Sequence, residues 1–186
     1  MNTFEAIAQR RSIRKFKDTP VSDEIIIKIL NATIQAPSGK NRQPWQFVVV
    51  KEDNRDKMVS LLRQGIDRVK QKEGDTGSSE WTANVMEQAP VTIFVFNPLA
   101  ERNRKENFPN VVDVQSVGAA IQNMLLAATD LGLGTLWICD VFYAYDELCE
   151  WLEQSGQMIA AVSLGYADES PNARSRKPVE EVTTWL

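Results

Sequence analysis

The run VTIFVF (91–96) and the run WQFVVV (45–50) each hold a single polar residue in six. Apolar β-branched and aromatic residues without period-two alternation read as strands buried in a sheet. Helical patterns surround them. In SDEIIIKILNATIQA (22–36), Ser22 is placed as an N-cap, with Asp23 and Glu24 in the first turn. Val21 and Ile26 stand at staple spacing, Ile25, Ile26, Ile29, Leu30 and Thr33 form one face, and Pro37 stops the helix. A polar helix is predicted over 53–72, another over 79–88 with Trp81, Val85 and Met86 on its core face, and a long one over 111–132. Strands follow at 135–138 and 158–166, with a helix over 145–154 between them. Strands alternating with helices suggest a doubly wound parallel sheet. LGLGT, however, follows a helix rather than opening one, so it reads as a helix end with Gly132 in the left-handed position, and no dinucleotide fingerprint is present.

At 186 residues, with 43% hydrophobic and 25% charged side chains, the chain is expected to be one globular domain, 1–186. No uninterrupted apolar run reaches the roughly 18–20 residues of a membrane span, and MNTFEAIAQRR lacks the pattern of a signal peptide. Two cysteines, Cys139 and Cys149, make no disulfide framework and read as small core residues, so the expected setting is cytoplasmic, with no membrane partner. Histidine is absent, which excludes Ser-His-Asp and Cys-His catalysis and the commonest zinc ligand. No metal site is expected.

Three segments could carry chemistry. RRSIRKF (10–16) concentrates Arg10, Arg11, Arg14 and Lys15 in a chain of net charge −4. Extended, it would set Arg10, Ser12 and Arg14 on one side, a set suited to phosphate and carbonyl oxygens. Taken alone, a solvated basic helix end is the simpler reading. NARSRKP (172–178) repeats the pattern with Arg174 and Arg176; two Arg-x-Arg pairs suggest one shared anion, and a loose basic tail is the alternative reading. Both patches are short and the pI is about 5.0, which opposes a nucleic-acid partner. APSGKNRQPWQF (36–47) is more specified than a connection requires. The charged segment 100–110 reads as a surface loop, and its Arg102, Arg104 and Lys105 as solvated side chains.

Together, RRSIRKF, APSGKNRQPWQFVVV, AAIQNMLLAATDLGLGTLWI and SLGYADESPNARSRKPVEEV, in this order, resemble the nitroreductase family of FMN-dependent NAD(P)H oxidoreductases. The resemblance implies an α+β fold around a central, largely antiparallel sheet, in place of the parallel one, and an intertwined homodimer with FMN at the interface. The long helix, with Gly118, Ala119 and Ala120, would be a dimer element and the C-terminal tail an arm around the partner. Arg10, Arg174 and Arg176 would hold the FMN phosphate, supported by Arg11 and Ser12. Arg14 would lie toward the pyrimidine and tune the redox potential. Pro37, Ser38, Gly39 and Asn41 would reach the flavin of the other subunit, and Leu136, Trp137, Ile138 and Cys139 would pass the edge carrying N5, mainly by backbone. Cys139 and Asp140 stand where relatives often have glycine.

The implied activity is hydride transfer from NAD(P)H through flavin N5 to a small nitroaromatic or quinone-like acceptor, by a ping-pong route that needs no catalytic side chain. The same scaffold also supports dehalogenation, dehydrogenation and flavin destruction, for which only 73–82 and 97–110 offer room for a lid. A flavin-binding protein without turnover, its cleft blocked by Trp81 or Phe108, is the reading from another class.

Overall fold

In the computed structural model, which describes residues 1–100 and 107–186, β1 (Gln46–Lys51), β2 (Val91–Asn97), β3 (Gly134–Ile138) and β4 (Gln157–Gly165) form one sheet in the order β1–β2–β4–β3. Every pair is antiparallel, so the parallel arrangement that the element order suggests does not occur. A bulge between Val95 and Phe96 shifts the β2–β4 register, so that Val95 faces Ala160 and Phe96 faces Met158.

Helices cover both faces of this sheet. Phe94 and Phe96 pack among Met58, Leu62 and Ile66 of α3 (Asp53–Gln71) and Val85 and Met86 of α4 (Ser79–Gln88). On the other face, Val91, Ile93 and Val95 meet Ile26 and Ile29 of α2 (Asp23–Thr33) and Val117, Ile121 and Met124 of α5 (Asn107–Asp130). Double coverage explains why β2 is buried at every position although its neighbours run antiparallel. β1 is less covered than its sequence suggests: it is an edge strand in which only Val50 is fully buried, and Trp45 precedes it.

Helix boundaries follow local chemistry. Asn2 and Glu5 close a capping box on α1 (Thr3–Gln9). Ser22 does cap α2, but its side chain makes no bond to the helix backbone, and Val21 and Ile26 are buried as the staple spacing predicts. α2 ends at Thr33 rather than running to Ala36: Ile34 keeps helical angles, and the chain then tightens, with the Gln35 and Ala36 N–H groups on the Ala32 and Thr33 carbonyls. Gly132 ends α5 at φ 79°, with its N–H on Thr129 and that of Leu133 on Ala128. α6 (Tyr145–Trp151) stops before the expected 154, and the tail contains only the single turn α7 (Val179–Val182).

α5 begins at Asn107, so residues 107–110 are helix rather than loop, and Arg102, Arg104 and Lys105 lie outside the described residues. One helix, 110–130, is long and apolar enough by composition to cross a membrane, but it sends Val117, Ile121 and Met124 into the core of this fold. Ala120 is buried in the same chain, so the small-residue stripe is not wholly available to a partner.

Candidate functional site

β3 leaves one edge open, and RRSIRKF covers it. Ser12 bridges Thr135 in parallel, the Ile13 N–H donates to the Thr135 carbonyl at 2.9 Å, and Phe16 bridges Ala167. Ile13 and Phe16 are buried, so the segment is extended structure and not a solvated helix end. Gly134 allows the approach: a Cβ there would lie 2.6 Å from Ile13 Cγ1.

The two ends of the chain are clasped together at this edge. The Glu169 carboxylate accepts from the backbone N–H of Arg14 and, at 3.2 Å, from that of Lys15, while the Asp168 N–H donates to Lys15. Arg10, Arg11, Ser12 and Arg14 then share a cleft of about 500 Å³ with Arg174 and Arg176. Their guanidinium groups meet carbonyls rather than carboxylates: Arg11 donates to Ala8 and Arg10, Arg14 to Ser12, and Arg176 to Arg174 and Ser175. None of the five arginines belongs to a salt bridge among the described residues. Partial burial, with Arg176 and Arg11 nearby, pushes the Arg10 guanidinium below its usual range. Five cations lining one cleft, none in a salt bridge among the described residues, are a demand for an anion.

Arg10 and Ser12 also line an adjoining cavity of about 220 Å³ with Gln122, Thr135 and Trp137. Thr135 is buried and its Oγ1 has no hydrogen-bond partner among the described residues. A ligand hydroxyl in that cavity would satisfy it. A phosphorylated polyol joined to a flat ring fits this combination of cations, orphan hydroxyl and exposed indole.

The β3 residues divide by strand alternation. Trp137 is 40% exposed, whereas Leu136 and Ile138 are buried among the α3 and α4 side chains and can offer a ligand only backbone. Cys139 is exposed, which corrects the core reading, while Cys149 packs beside the core. Burial of part of the Cys139 side chain, and then Asp140, push its thiol up. Asp140 accepts from the Thr82 hydroxyl on α4.

The segment 36–47 does not line either cavity within one chain. It docks on α5 through Arg42 Nη2 on the fully buried Asp113 at 2.5 Å and the Gly39 N–H on Ser116 Oγ at 3.3 Å. A side chain at Gly39 would collide with Val112, 2.3 Å away. Lys40, Asn41 and Gln43 all have positive φ, near 50°, and the Gln43 N–H donates to Ser38 Oγ. This costly conformation holds Ser38 and Gly39 partly covered and Pro37 and Asn41 exposed.

Trp81 departs most from expectation. Val85 and Met86 are buried, but the Trp81 ring is 53% exposed and lies over Arg14, with 5.2 Å between its centroid and the guanidinium carbon. Thr135, Gln122 and Glu169 also join the site unforeseen. Period two from Trp137 points to Thr135, but nothing local marks a contact between Glu169 and Arg14, 155 positions apart.

The model of the nitroreductase family matches residues 7–166. A Methanothermobacter thermautotrophicus protein, provisionally named an NADH dehydrogenase/NAD(P)H nitroreductase, is 31% identical over 94% of this chain and 82% of its own. Rat iodotyrosine deiodinase 1 is 30% identical over 72% of this chain and half of its own. A Desulfovibrio desulfuricans protein solved in complex with FMN superposes with TM-score 0.78, 33% identity and coverage of 100% and 98% of the two chains. A BluB-like flavoprotein of Clostridium difficile gives 0.84, 32%, and 100% and 99%.

Proposed function

The chain belongs to the nitroreductase family, with the α+β fold of that family, and on this premise we propose that it is an FMN-dependent oxidoreductase reducing small nitroaromatic or quinone-like acceptors with NAD(P)H. The observation that carries the reading is the convergence of Arg10, Arg11, Arg14, Arg174 and Arg176 on one cleft without a carboxylate partner among the described residues. FMN, when bound, supplies a carrier that accepts hydride from one substrate and releases electrons to the next.

In this reading Arg10, Arg174 and Arg176 hold the phosphate and cancel its charge, with Arg11 and Ser12 in support. Arg14 presents a cation to the pyrimidine end and favours negative charge there. The backbone of Leu136, Trp137, Ile138 and Cys139 would pass the edge of the flavin that carries N5. Pro37, Ser38, Gly39 and Asn41 serve the site of a second subunit, which accounts for a strained loop outside its own chain's cleft. The exposed arm carrying Val179, Val182, Trp185 and Leu186 would wrap that subunit in a homodimer. No side chain is assigned acid or base work, so the residues bind and orient while donor and acceptor take turns in one cleft. The protein would work in the reducing cytoplasm, as one domain, without nucleic acid or membrane.

Anaerobic mixing of the FMN-loaded protein with NADH or NADPH should bleach the flavin absorbance, and a nitroaromatic should restore it, with parallel-line ping-pong kinetics. Protein that stays colourless after incubation with FMN overturns the proposal, and an unchanged spectrum leaves only a carrier. The deiodinase relative supports a second reading, reductive dehalogenation, which halide release from an iodinated phenol would reveal.

A further inference from the structure

We propose that Trp81 is a positioning residue for the flavin potential, acting through the Arg14 guanidinium. This rests on the function proposed above. Arg14 reaches the cleft from a fixed backbone: its N–H is held by Glu169 and its Nη1 donates to the Ser12 carbonyl at 3.0 Å. Those bonds leave the far face of the guanidinium open, and the indole of Trp81 occupies it, 5.2 Å from centroid to cation. A flexible arginine on a solvated rim would otherwise sample many rotamers. A π face above it selects the one that points into the cleft.

Trp81 is itself held from both sides along α4. Glu80 pairs with Lys70 at 2.5 Å, and the Thr82 hydroxyl bonds Asp140 just beyond β3. Val85 and Met86, one turn on, are buried. An indole that remains 53% exposed on so restrained a segment gains little from burial of its own, so its contact with Arg14 is the constraint it supplies. A cation beside the pyrimidine raises the potential by favouring negative charge in the reduced cofactor. Releasing Arg14 must therefore lower it.

Two measurements test this. In the cofactor-free protein, the Arg14 Nε–Hε NMR resonance should carry a ring-current displacement that Trp81→Phe retains and Trp81→Leu removes. In the FMN-loaded protein, Trp81→Leu and Trp81→Ala should shift the midpoint potential negative, in the direction of Arg14→Ala. Trp81→Phe should stay near the native value, and Trp81→Leu/Arg14→Ala should shift no further than Arg14→Ala alone. A native potential in Trp81→Leu, additive shifts in the double variant, or no ring-current displacement in the native protein overturns the proposal. If Trp81→Ala fails to fold, the Leu and Phe pair decides. Native protein that takes up no FMN fails the function instead, and the NMR comparison still reports whether the contact exists.

Discussion

Ile13 occupies the space that a side chain on Gly134 would need, with Cγ1 2.6 Å from where that Cβ would stand. The backbone of the arginine segment and the edge of β3 thus approach as closely as a strand pair allows. Gly134→Ala should push the segment outward, costing about 1–3 kcal/mol of stability by overpacking. Denaturant titration together with FMN titration checks it: both stability and affinity should fall. Loss of neither would mean that Ile13 relaxes at no cost.

Arg10→Ala should weaken FMN about 10–100-fold, the value of one charge-assisted contact to phosphate, and Arg174→Ala/Arg176→Ala by more. Riboflavin, lacking the phosphate, should bind the variants and the native protein equally. Fluorescence titration with both ligands separates the loss of a phosphate contact from disruption of the whole site, for which the two ligands would lose alike.

Arg42→Ala removes one partner of the buried Asp113 pair and loosens the strained 36–47 loop from α5. A stability loss of about 3 kcal/mol is expected, since the remaining carboxylate stays buried with a weaker set of partners. Thermal unfolding of the native protein and the variant measures it, and a shift of less than one degree would show that the loop does not depend on the pair.

Thr135→Val should leave the cofactor-free protein as stable as before, or slightly more so, because it deletes a buried hydroxyl with no partner among the described residues. FMN affinity should drop about 3–10-fold if that hydroxyl meets the cofactor polyol. Equal affinity would remove Thr135 from the site.

Cys139 is exposed, yet burial of part of its side chain and the neighbouring Asp140 raise its pKa. The protonated thiol dominates at neutral pH, so iodoacetamide should label it slowly there and faster as the pH rises past the range of a free cysteine. A labelling midpoint below that of free cysteine would reverse the electrostatic argument.

Helix and strand positions were legible because periodicity is local: the staple at Val21 and Ile26, the stop at Gly132 and the apolar β2 are all in place. Strand direction was not legible, since Phe94 and Ile93 are both buried whether the neighbours run parallel or antiparallel. Trp81 was misread for a related reason. It shares a helical stripe with Val85, but the stripe says nothing of what lies opposite, and opposite Trp81 lies a cation. The arginine clusters were visible in sequence. Their convergence depends on Glu169 holding Arg14 across the length of the chain, which no local pattern encodes.

The C-terminal arginines stand on a segment that contributes no side chain to either core. Proteolytic nicking after the clasp at Glu169 would therefore leave the sheet and α1–α6 in place but detach Arg174 and Arg176, two of the five cations of the anion site. Cofactor content, rather than folding, is the property by which damage to this chain would first be seen.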